Sequence, residues 1–366
     1  MAAQERIRPV NVRDHAIVVG IDLYPGLGSL EGAQWDAEAF AGWLVDPDGG
    51  GLPAGNVRTI LTRQYHPPPP ATTTLADPNA QRFNTAIRDL LTDAAGDPHP
   101  FPVGRRLYLY FSGHGFQGAS DWEEAALYAA NATRVMPEHI PGTRVANAVK
   151  AAAAFEEIVL VMDCCRDVSL TGRICEFLLC LLPNPSQAAV VRTCYAYAVP
   201  RGSQARERRF NGGPVQGIFT YVLLEALRRT PGDGNGNVTG QAIKNYIHNR
   251  WPDVATDGDN PSSSPRIEVD NTNDVVFAVR PSGPAATAGA APGPPQTRVT
   301  FSVEPPVPDG AEIMVLDGQM LEIQRLPVRD GSASCALVPG LYKALLAGTN
   351  RQKVFQAMGA DVHEQL

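Results

Sequence analysis

A thiol and an imidazole stand at corresponding points of the sequence, each just after an apolar run. Ile158–Met162 is rich in β-branched residues and precedes a polar segment that includes Cys165, and Leu107–Phe111 precedes a segment that includes His114. Short apolar runs of this type predict buried strands of a parallel sheet. In open α/β sheets, sites are built at the carboxyl ends of the strands. The two segments therefore predict a site that contains Cys165 and His114.

The chemistry that suits this pair is nucleophilic attack on a carbonyl group. A thiol is nucleophilic as the thiolate, and a neighbouring imidazole can take up its proton and later protonate a leaving amine. The tetrahedral intermediate needs hydrogen-bond donors, for which the backbone N–H groups of Gly115 and Cys165 are the candidates. Either side chain alone is more easily explained as a packed residue at a strand end. Together, at matching strand ends and beside glycine, His114 and Cys165 favour a catalytic dyad.

The segments around these two strands alternate between strand and helix patterns. A first strand is predicted at His15–Ile21, and Gln34–Leu44 has apolar residues at helical spacing with Asp36 in its first turn. The alternation continues with strands at Val57–Leu61, Ala125–Ala129 and Ala188–Cys194, helices at Gln81–Ala94, Thr143–Phe155, Val215–Arg228 and Thr239–Trp251, a polar loop at Ala198–Pro214, and one or two closing strands within Arg266–Val279. This order predicts an α/β fold with a mostly parallel sheet covered by helices on both faces.

Length and composition exclude several classes of protein. A chain of 366 residues is long enough for one large domain and a small one, and 44% hydrophobic residues are enough for a globular core. No apolar run approaches the ~20 residues of a membrane span, and the N-terminus lacks the apolar core of a signal peptide, so we expect a cytoplasmic protein without membrane contact. Six cysteines in a chain of this length do not form the pattern of a disulfide framework. A formal charge of −7 argues against nucleic-acid binding.

A change of composition divides the chain. Residues 281–296 are almost only Pro, Gly, Ala and small polar residues, which predicts a linker. Residues 1–280 form the α/β domain. Residues 297–366 contain four short strand-like runs separated by turns, which predicts a small all-β, sandwich-like domain. This domain concentrates no catalytic residue types, so we expect it to bind a protein partner.

The glycine-rich segment 232–238 (GDGNGNV) raises the question of a calcium loop. Its spacing fails, because Val238 stands where such a loop needs Gly and Lys244 stands where it needs Glu. A glycine-rich turn is the better prediction. We expect neither a metal nor a cofactor.

The segments with the thiol and the imidazole resemble the two signature boxes of the caspase-like cysteine peptidases of clan CD, in particular the metacaspase and paracaspase branches. Tyr110–Gly115 (YFSGHG) is similar to the His box and Asp163–Arg166 (DCCR) to the Cys box. The opening VVGIDLYPGLGSLEGAQWDAEAF is similar to the first strand and helix of that family, and SQARE and GIFT to segments after the catalytic strand. The resemblance covers roughly residues 14–280 and implies a caspase-like, mostly parallel six-stranded sheet flanked by helices.

The family pattern distinguishes the two adjacent cysteines and suggests a specificity. The family's nucleophile lies two residues after an Asp or Gln, which implies that Cys165 is the nucleophile and Cys164 a variable residue. The resemblance also implies that Asp36, Ser112 and Asp163 line the pocket for P1, the residue before the scissile bond. Two carboxylates in a confined pocket favour Arg or Lys, and bidentate pairing favours Arg. Alternatively, Asp36 is only a helix N-terminal acid and Asp163 only caps a loop.

Two loops after the nucleophile coincide with places where this family is regulated by cleavage or ordering. They span Arg166–Gln187 and Ala198–Pro214, and an Arg-specific peptidase would cut at arginines within them. The candidate processing sites are Arg173, Arg206, Arg208 and Arg209. We therefore expect a zymogen that is nicked by itself or by an upstream protease. Calcium activation is not expected, because no acidic cluster follows Cys165.

The sequence thus predicts a cysteine endopeptidase that cleaves protein or peptide substrates after Arg or Lys. Two alternatives stay open: a catalytically silent caspase-like scaffold that binds partners, and a relative in the same clan with a different P1 preference. The presence of both His114 and Cys165 counts against the scaffold. Abundant Ala, Gly, Pro and Arg with few Lys is typical of a GC-rich bacterial genome.

Overall fold

The computed structural model describes residues 11–65, 72–118, 124–166, 168–169, 174, 181–210, 212–255, 264–270, 273–279, 297–305, 307–308, 310–316, 322–337, 340–349, 351–357 and 362–365. The chain divides into two compact units, Met1–Ser282 and Gly283–Leu366. The predicted processing site Arg173 and the predicted linker 281–296 lie outside the described residues.

The first unit alternates helices and strands. Its helices are α1 Ala33–Val45, α2 Thr62–Tyr65, α3 Ala80–Leu91, α4 Gly142–Ala151, α5 Pro185–Ala188, α6 Ile218–Arg229 and α7 Gly240–Val254, with single 3₁₀ turns at Ala54–Asn56 and Thr73–Leu75. Its strands are β1 Asp14–Gly20, β2 Val57–Leu61, β3 Gly104–Gly113, β4 Gly115–Gly118, β5 Ala125–Tyr128, β6 His139–Ile140, β7 Phe155–Cys164, β8 Val168–Ser169, β9 Arg192–Tyr197, β10 Glu207–Arg209, β11 Val215–Gly217, β12 Asn237–Thr239, β13 Arg266–Val269 and β14 Val276–Val279. Among the described helices, none is both long enough and apolar enough to cross a membrane.

The central sheet of this unit has six strands in the order β13-β9-β7-β3-β1-β2. Strands β9, β7, β3, β1 and β2 pair in parallel, and β13 joins the edge antiparallel to β9. A second sheet, in the order β6-β5-β4-β8, extends from the carboxyl end of β3. The predicted α/β fold with a mostly parallel six-stranded sheet is confirmed.

Both faces of the central sheet are buried under helices, and consecutive strand residues pack into different core layers. Tyr110 and Val161 pack with α1, α6 and α7 on one face. Phe111 and Met162, the next residue on each strand, pack with α3 and α4 on the other face. Because side chains alternate along a strand, burial on both faces requires a continuous apolar run. This is why the central strands are visible in the sequence.

Several segments of the first unit differ from the sequence prediction: α4 ends at Ala151 and not at Phe155, and β9 begins at Arg192 and not at Ala188. The predicted loop Ala198–Pro214 contains β10, which pairs antiparallel with β11. The helix predicted from Val215 therefore begins three residues later, at Ile218. Strand β10 carries only charged side chains, so it has no hydrophobic pattern that could have predicted it.

The second unit contains strands alone among its described residues. They are β15 Thr297–Ser302, β16 Glu312–Leu316, β17 Glu322–Pro327, β18 Ser332–Leu337, β19 Gly340–Leu346, β20 Gln352–Ala357 and β21 Val362–Gln365. They form two sheets in the orders β18-β15-β21 and β17-β16-β19-β20. Side chains from both sheets, among them Phe301, Val315 and Tyr342, share one apolar core.

Candidate active site

Strands β3 and β7 bring His114 and Cys165 to the same edge of the central sheet. The two strands are parallel neighbours, and their register pairs Gly113 with Cys164. His114 and Cys165 are the next residues along the two chains, so both follow directly on the carboxyl ends of their strands. Both line a cleft of about 600 Å³. The two residues predicted to carry the chemistry are therefore neighbours in space.

The imidazole of His114 is held in a defined orientation by the loop after β1. Its Nε2 lies 2.9 Å from the carbonyl oxygen of Gly28. A carbonyl only accepts hydrogen bonds, so Nε2 carries the proton and Nδ1 is left as the acceptor. The ring of Tyr24 packs against the imidazole, with 4.8 Å between the ring centroids. This tautomer leaves one ring nitrogen able to take a proton from a thiol.

The hydroxyl of the buried Tyr24 fixes the backbone around His114. It accepts a hydrogen bond from the N–H of His114 at 3.1 Å and donates one to the carbonyl of Tyr128 at 3.2 Å. Gly113 has a φ of +151°, and a β-carbon there would collide with the Tyr24 hydroxyl. Glycine is thus required before the histidine. Sequence analysis missed Tyr24, and the only available signal was an aromatic residue among turn-forming residues just after a strand.

The two adjacent cysteines have different surroundings. Cys164 is 1% exposed, and burial raises the pKa of its thiol well above the usual value. Cys165 is partly exposed and lines the cleft, with its Sγ 3.8 Å from the carbonyl oxygen of Ala205. A thiol must reach its substrate and become a thiolate to react. The geometry therefore favours Cys165 over Cys164 as the reactive thiol.

Gly115 allows β4 to lie against the end of β7. A β-carbon at this position would lie 2.7 Å from the Cβ of Cys164 and 2.8 Å from the carbonyl oxygen of Ala126. No other residue fits without moving one of these strands. Glycine here keeps the backbone N–H of residue 115 beside the strand end that carries Cys165.

The three residues predicted to line the P1 pocket come together in the same cleft. Asp36 arrives from α1, Ser112 from β3 and Asp163 from β7. One oxygen of Asp36 accepts hydrogen bonds from the Gly217 N–H at 2.8 Å and from the Ser112 hydroxyl at 3.4 Å. One oxygen of Asp163 accepts from the N–H and the hydroxyl of Thr220, at 3.0 and 2.6 Å. Asp36 thus bonds outside its own helix, whereas Asp163 binds the first turn of α6.

The two aspartates are nearly inaccessible, and burial penalises their charged forms. It raises the pKa of Asp163 to about 6 and the pKa of Asp36 well above its usual value, the latter also because of the neighbouring Asp163 carboxylate. The Oδ1 atom of Asp36 is buried and accepts no hydrogen bond from any residue that the structure describes. A cationic ligand would satisfy this oxygen and relieve the repulsion between the two carboxylates.

A third carboxylate, Glu207, lines the same cleft and was not singled out in the sequence analysis. Its oxygens accept hydrogen bonds from the N–H groups of Glu31 and Gly32, at 3.2 and 3.1 Å. Burial raises the pKa of this carboxyl group as well. A signal was present in the sequence, since Glu207 is an acidic residue within an arginine-rich segment. Asp36, Asp163 and Glu207 therefore place three carboxyl groups in the lining of one cleft.

Three of the predicted processing sites lie beside the cleft, in or next to the β10–β11 hairpin. Arg206 is exposed and lines the cleft. Arg208 and Arg209 belong to β10 and donate hydrogen bonds to the carbonyl oxygens of Val254 and Gly213. Cleavage after Arg208 or Arg209 requires the hairpin to open.

Comparison with known proteins gives one family and one curated relative. A family model described as "Caspase domain" matches residues 13–242, more than half of the chain. A protein named as a probable protease, from a Desulfuromonadales bacterium, is 26% identical over 254 residues. The match covers 66% of this chain but only 29% of that relative, so the chain spans less than a third of the relative's length.

Among solved structures, caspase-1 from Spodoptera frugiperda is similar, with a TM-score of 0.46 and 14% sequence identity. The match covers 74% of this chain and 94% of that chain. A protein from Geobacter sulfurreducens matches with a TM-score of 0.43 and 15% identity over 73% of this chain and 99% of that one. The pro form of the S. frugiperda caspase matches with a TM-score of 0.41 and 15% identity, covering 77% and 99% of the two chains.

Proposed function

The chain belongs to the caspase-domain family of peptidases, and from this premise we propose that it is a cysteine endopeptidase that cleaves protein substrates after Arg or Lys. The observation that carries the specificity is the meeting of Asp36, Asp163 and Glu207 in the cleft that also contains His114 and Cys165. A cleft with three carboxylates beside the nucleophile selects a basic side chain next to the scissile bond.

In the proposed reaction Cys165 is the nucleophile and His114 carries the proton. Nδ1 of His114 accepts the thiol proton, and the thiolate of Cys165 adds to the carbonyl carbon of the scissile bond. The imidazolium then protonates the leaving amine, the C–N bond breaks, and a thioester remains on Cys165. His114 next removes a proton from water, which hydrolyses the thioester and releases the new carboxyl terminus. The carbonyl of Gly28 stabilises the charged imidazolium through Nε2–H in each step.

The negative charge that develops on the carbonyl oxygen is assigned to backbone donors. Gly115 begins β4 and pairs with Leu127 of β5, and Cys165 directly follows the carboxyl end of β7, so paired strands limit the movement of both N–H groups. Preorganised donors of this kind stabilise a transition state because they need no reorientation during the reaction, and removing one typically costs ~10²–10³ in kcat.

Arg is the preferred P1 residue because its guanidinium group spreads the positive charge over a planar set of hydrogen-bond donors. The buried Oδ1 of Asp36 and the neighbouring Asp163 present carboxylate oxygens from two directions. A planar guanidinium with five donors can bind both groups at once, whereas the ammonium group of Lys is a compact point charge. We therefore expect cleavage after Arg to be faster than cleavage after Lys.

The test is a set of matched fluorogenic peptides that differ only in P1, with Arg, Lys, Asp or Leu at this position. The wild-type protein should cleave the Arg peptide fastest, and Asp163→Ala should abolish that activity. Asp97→Ala, which removes an exposed aspartate from a loop outside the cleft, should leave it unchanged. Equal cleavage after Arg by wild type and Asp163→Ala would contradict the assignment of the pocket.

Activation by nicking belongs to the same proposal. Its support is the position of Arg206, exposed at the cleft and adjacent to a hairpin whose other strand leads into α6. Intact-mass spectrometry of freshly purified and incubated protein should show cuts after Arg206 before cuts after Arg208 or Arg209, and Cys165→Ala should stay whole. An intact wild-type chain with full activity would refute activation by nicking and leave the P1 assignment standing.

A further inference from the structure

The cleft also contains the cationic side chain of Arg134, which comes from a different segment of the chain than its three carboxylates. Arg134 lines the cleft and is exposed, and it forms no ion pair or hydrogen bond with the residues that the structure describes. The acidic residue nearest to it in sequence, Glu138, is occupied elsewhere: its oxygens accept hydrogen bonds from the Ala80 N–H and the Asn131 side chain, at 3.1 and 2.6 Å. Among the residues that the structure describes, none therefore competes with a ligand for the charge of Arg134.

The segment that carries Arg134 is a defined turn rather than an open loop. The N–H of Thr133 donates to the Met136 carbonyl and the N–H of Met136 donates to the Thr133 hydroxyl, both at 2.9 Å. The preceding backbone packs closely against the loop after β1, since a β-carbon at Gly26 would lie 2.5 Å from the Ala132 carbonyl oxygen. This places Arg134 near the tip of a short turn that is anchored at its base.

The acids and the arginine come from elements that belong to different faces of the central sheet. Asp36 is on α1 and Asp163 bonds to α6, and both helices cover the same face. Arg134 follows β5, whose Leu127 packs into the core layer of α3 and α4 on the other face. His114 and Cys165 stand at the strand ends between the two. A peptide that crosses this edge of the sheet with its P1 side chain on the acids continues past the nucleophile toward Arg134.

Two aromatic rings line the cleft that also contains His114 and Arg134. Phe116 and Tyr128 stack with 4.6 Å between their centroids, and both line the cleft. They offer an apolar wall for the stem of a substrate side chain and reduce the solvent around its charged end. The other arginine that lines the cleft, Arg206, directly precedes Glu207, whose oxygens bind the backbone just before α1.

We propose that Arg134 is a specificity-determining residue that selects an acidic side chain among the first two residues after the scissile bond. This inference rests on the proposed function, since it defines the direction in which the substrate lies across the nucleophile. The preferred substrate then carries Arg followed closely by Glu or Asp. An exposed ion pair is weak, so the expected preference for Glu over Lys at these positions is about threefold to fivefold in kcat/KM.

The experiment uses internally quenched peptides with Arg at P1 and with Glu, Gln or Lys at both of the next two positions. The wild type is compared with Arg134→Gln, Arg134→Glu and Arg58→Glu, the last of which makes the same charge change at an exposed residue of β2, away from the cleft. Arg134→Gln should remove the preference for Glu, and Arg134→Glu should reverse it in favour of Lys. Arg58→Glu should behave as the wild type does. The preference should shrink as the salt concentration rises.

Binding of the same peptides to Cys165→Ala, followed by fluorescence anisotropy, separates two kinds of failure. Cleavage after Arg with the same Glu-to-Lys ratio in wild type and Arg134→Glu overturns the role of Arg134 and leaves the proposed function intact. Absence of cleavage both before and after brief limited proteolysis, together with tighter binding of the Glu peptide that is lost in Arg134→Glu, overturns the peptidase and supports the role of Arg134. Equal binding of all peptides overturns the role of Arg134 by itself.

Discussion

Asp36 and Asp163 reach one point of the cleft from different elements, and Gly217 lies between their carboxylates. A β-carbon on residue 217 would lie 2.9 Å from Oδ2 of Asp36 and would collide with Oδ2 of Asp163. The N–H of Gly217 also donates to Asp36. The space between the two acids therefore depends on the absence of a side chain at this position.

The first prediction concerns Gly217→Ala. The added methyl group pushes apart the two carboxylates, which distorts the proposed P1 pocket at a typical overpacking cost of about 1–3 kcal/mol. We expect kcat/KM for an Arg substrate to fall about tenfold or more, mostly through KM. Steady-state kinetics measure this.

Gly42→Ala is the matched control. Gly42 lies in the last turn of α1, and a β-carbon there meets nothing within 4 Å. The substitution should leave cleavage unchanged and raise the free energy of unfolding by up to about 1 kcal/mol, because alanine is a better helix former. Equal activity of Gly217→Ala and Gly42→Ala would argue against a P1 pocket between the two acids.

The second prediction concerns pH and stability. Burial raises the pKa of Asp163 from a value near 4 in the unfolded chain to about 6 in the folded one. Between these values the folded protein binds more protons than the unfolded chain, so its stability falls as pH rises and the cost is complete above pH ~6. Asparagine keeps an acceptor for Thr220 without this cost. Asp163→Asn should raise the free energy of unfolding at pH 7.5 by on the order of 1 kcal/mol, and cleavage after Arg should be lost.

Thermal unfolding at several pH values measures this effect. The variant should unfold about 2–4 °C above wild type at pH 7.5, and the difference should disappear at or below pH 4. Asp97→Asn, at an exposed position, should match the wild type throughout. If Asp163→Asn is less stable than the wild type at neutral pH, the ionised carboxylate of Asp163 stabilises the fold by more than its burial destabilises it.

The third prediction concerns Tyr24→Phe. Removing the hydroxyl leaves the His114 N–H and the Tyr128 carbonyl without their common partner, at a typical cost of about 1–3 kcal/mol. The backbone that carries the imidazole then loses its fixed position, so we expect kcat to fall about tenfold with little change in KM. Tyr221→Phe is the control, because Tyr221 stacks on Phe210 and its hydroxyl forms no hydrogen bond with the described residues. A loss of stability with an unchanged kcat would reduce Tyr24 to a packing role.

The parts of the fold that were predictable are those in which burial dictates the residue types. Strands β3 and β7 are covered on both faces, so Leu107–Phe111 and Ile158–Met162 had to be apolar and were visible in the sequence. Strands β17 and β20 were not predicted. In β17, Glu322, Ile323 and most other side chains are exposed, so no alternation of polar and apolar residues reveals it.

The residues of the candidate site also fall into those that the sequence predicts and those that it does not. His114 and Cys165 were predictable because each directly follows a recognisable strand. Tyr24 and Glu207 were not, because what they do depends on contacts with residues far away in sequence: Tyr24 with Tyr128, and Glu207 with the backbone before α1. Such contacts are set by the tertiary fold, so neither an aromatic residue in a turn nor an acidic residue in an arginine-rich segment reveals them.

The central claim is that Cys165 attacks the peptide bond after a basic residue bound by the acids of the cleft. The most direct measurement is the hydrolysis of paired fluorogenic peptides ending in Arg or Asp by wild type, Cys165→Ala and Cys164→Ala. Each protein is tested intact and after brief limited proteolysis. We predict that the wild type hydrolyses the Arg peptide only. Cys165→Ala should lose this activity, and Cys164→Ala should retain it, because the Cys164 side chain is buried away from the cleft. Turnover of the Asp peptide, or activity that survives in Cys165→Ala, would contradict the account.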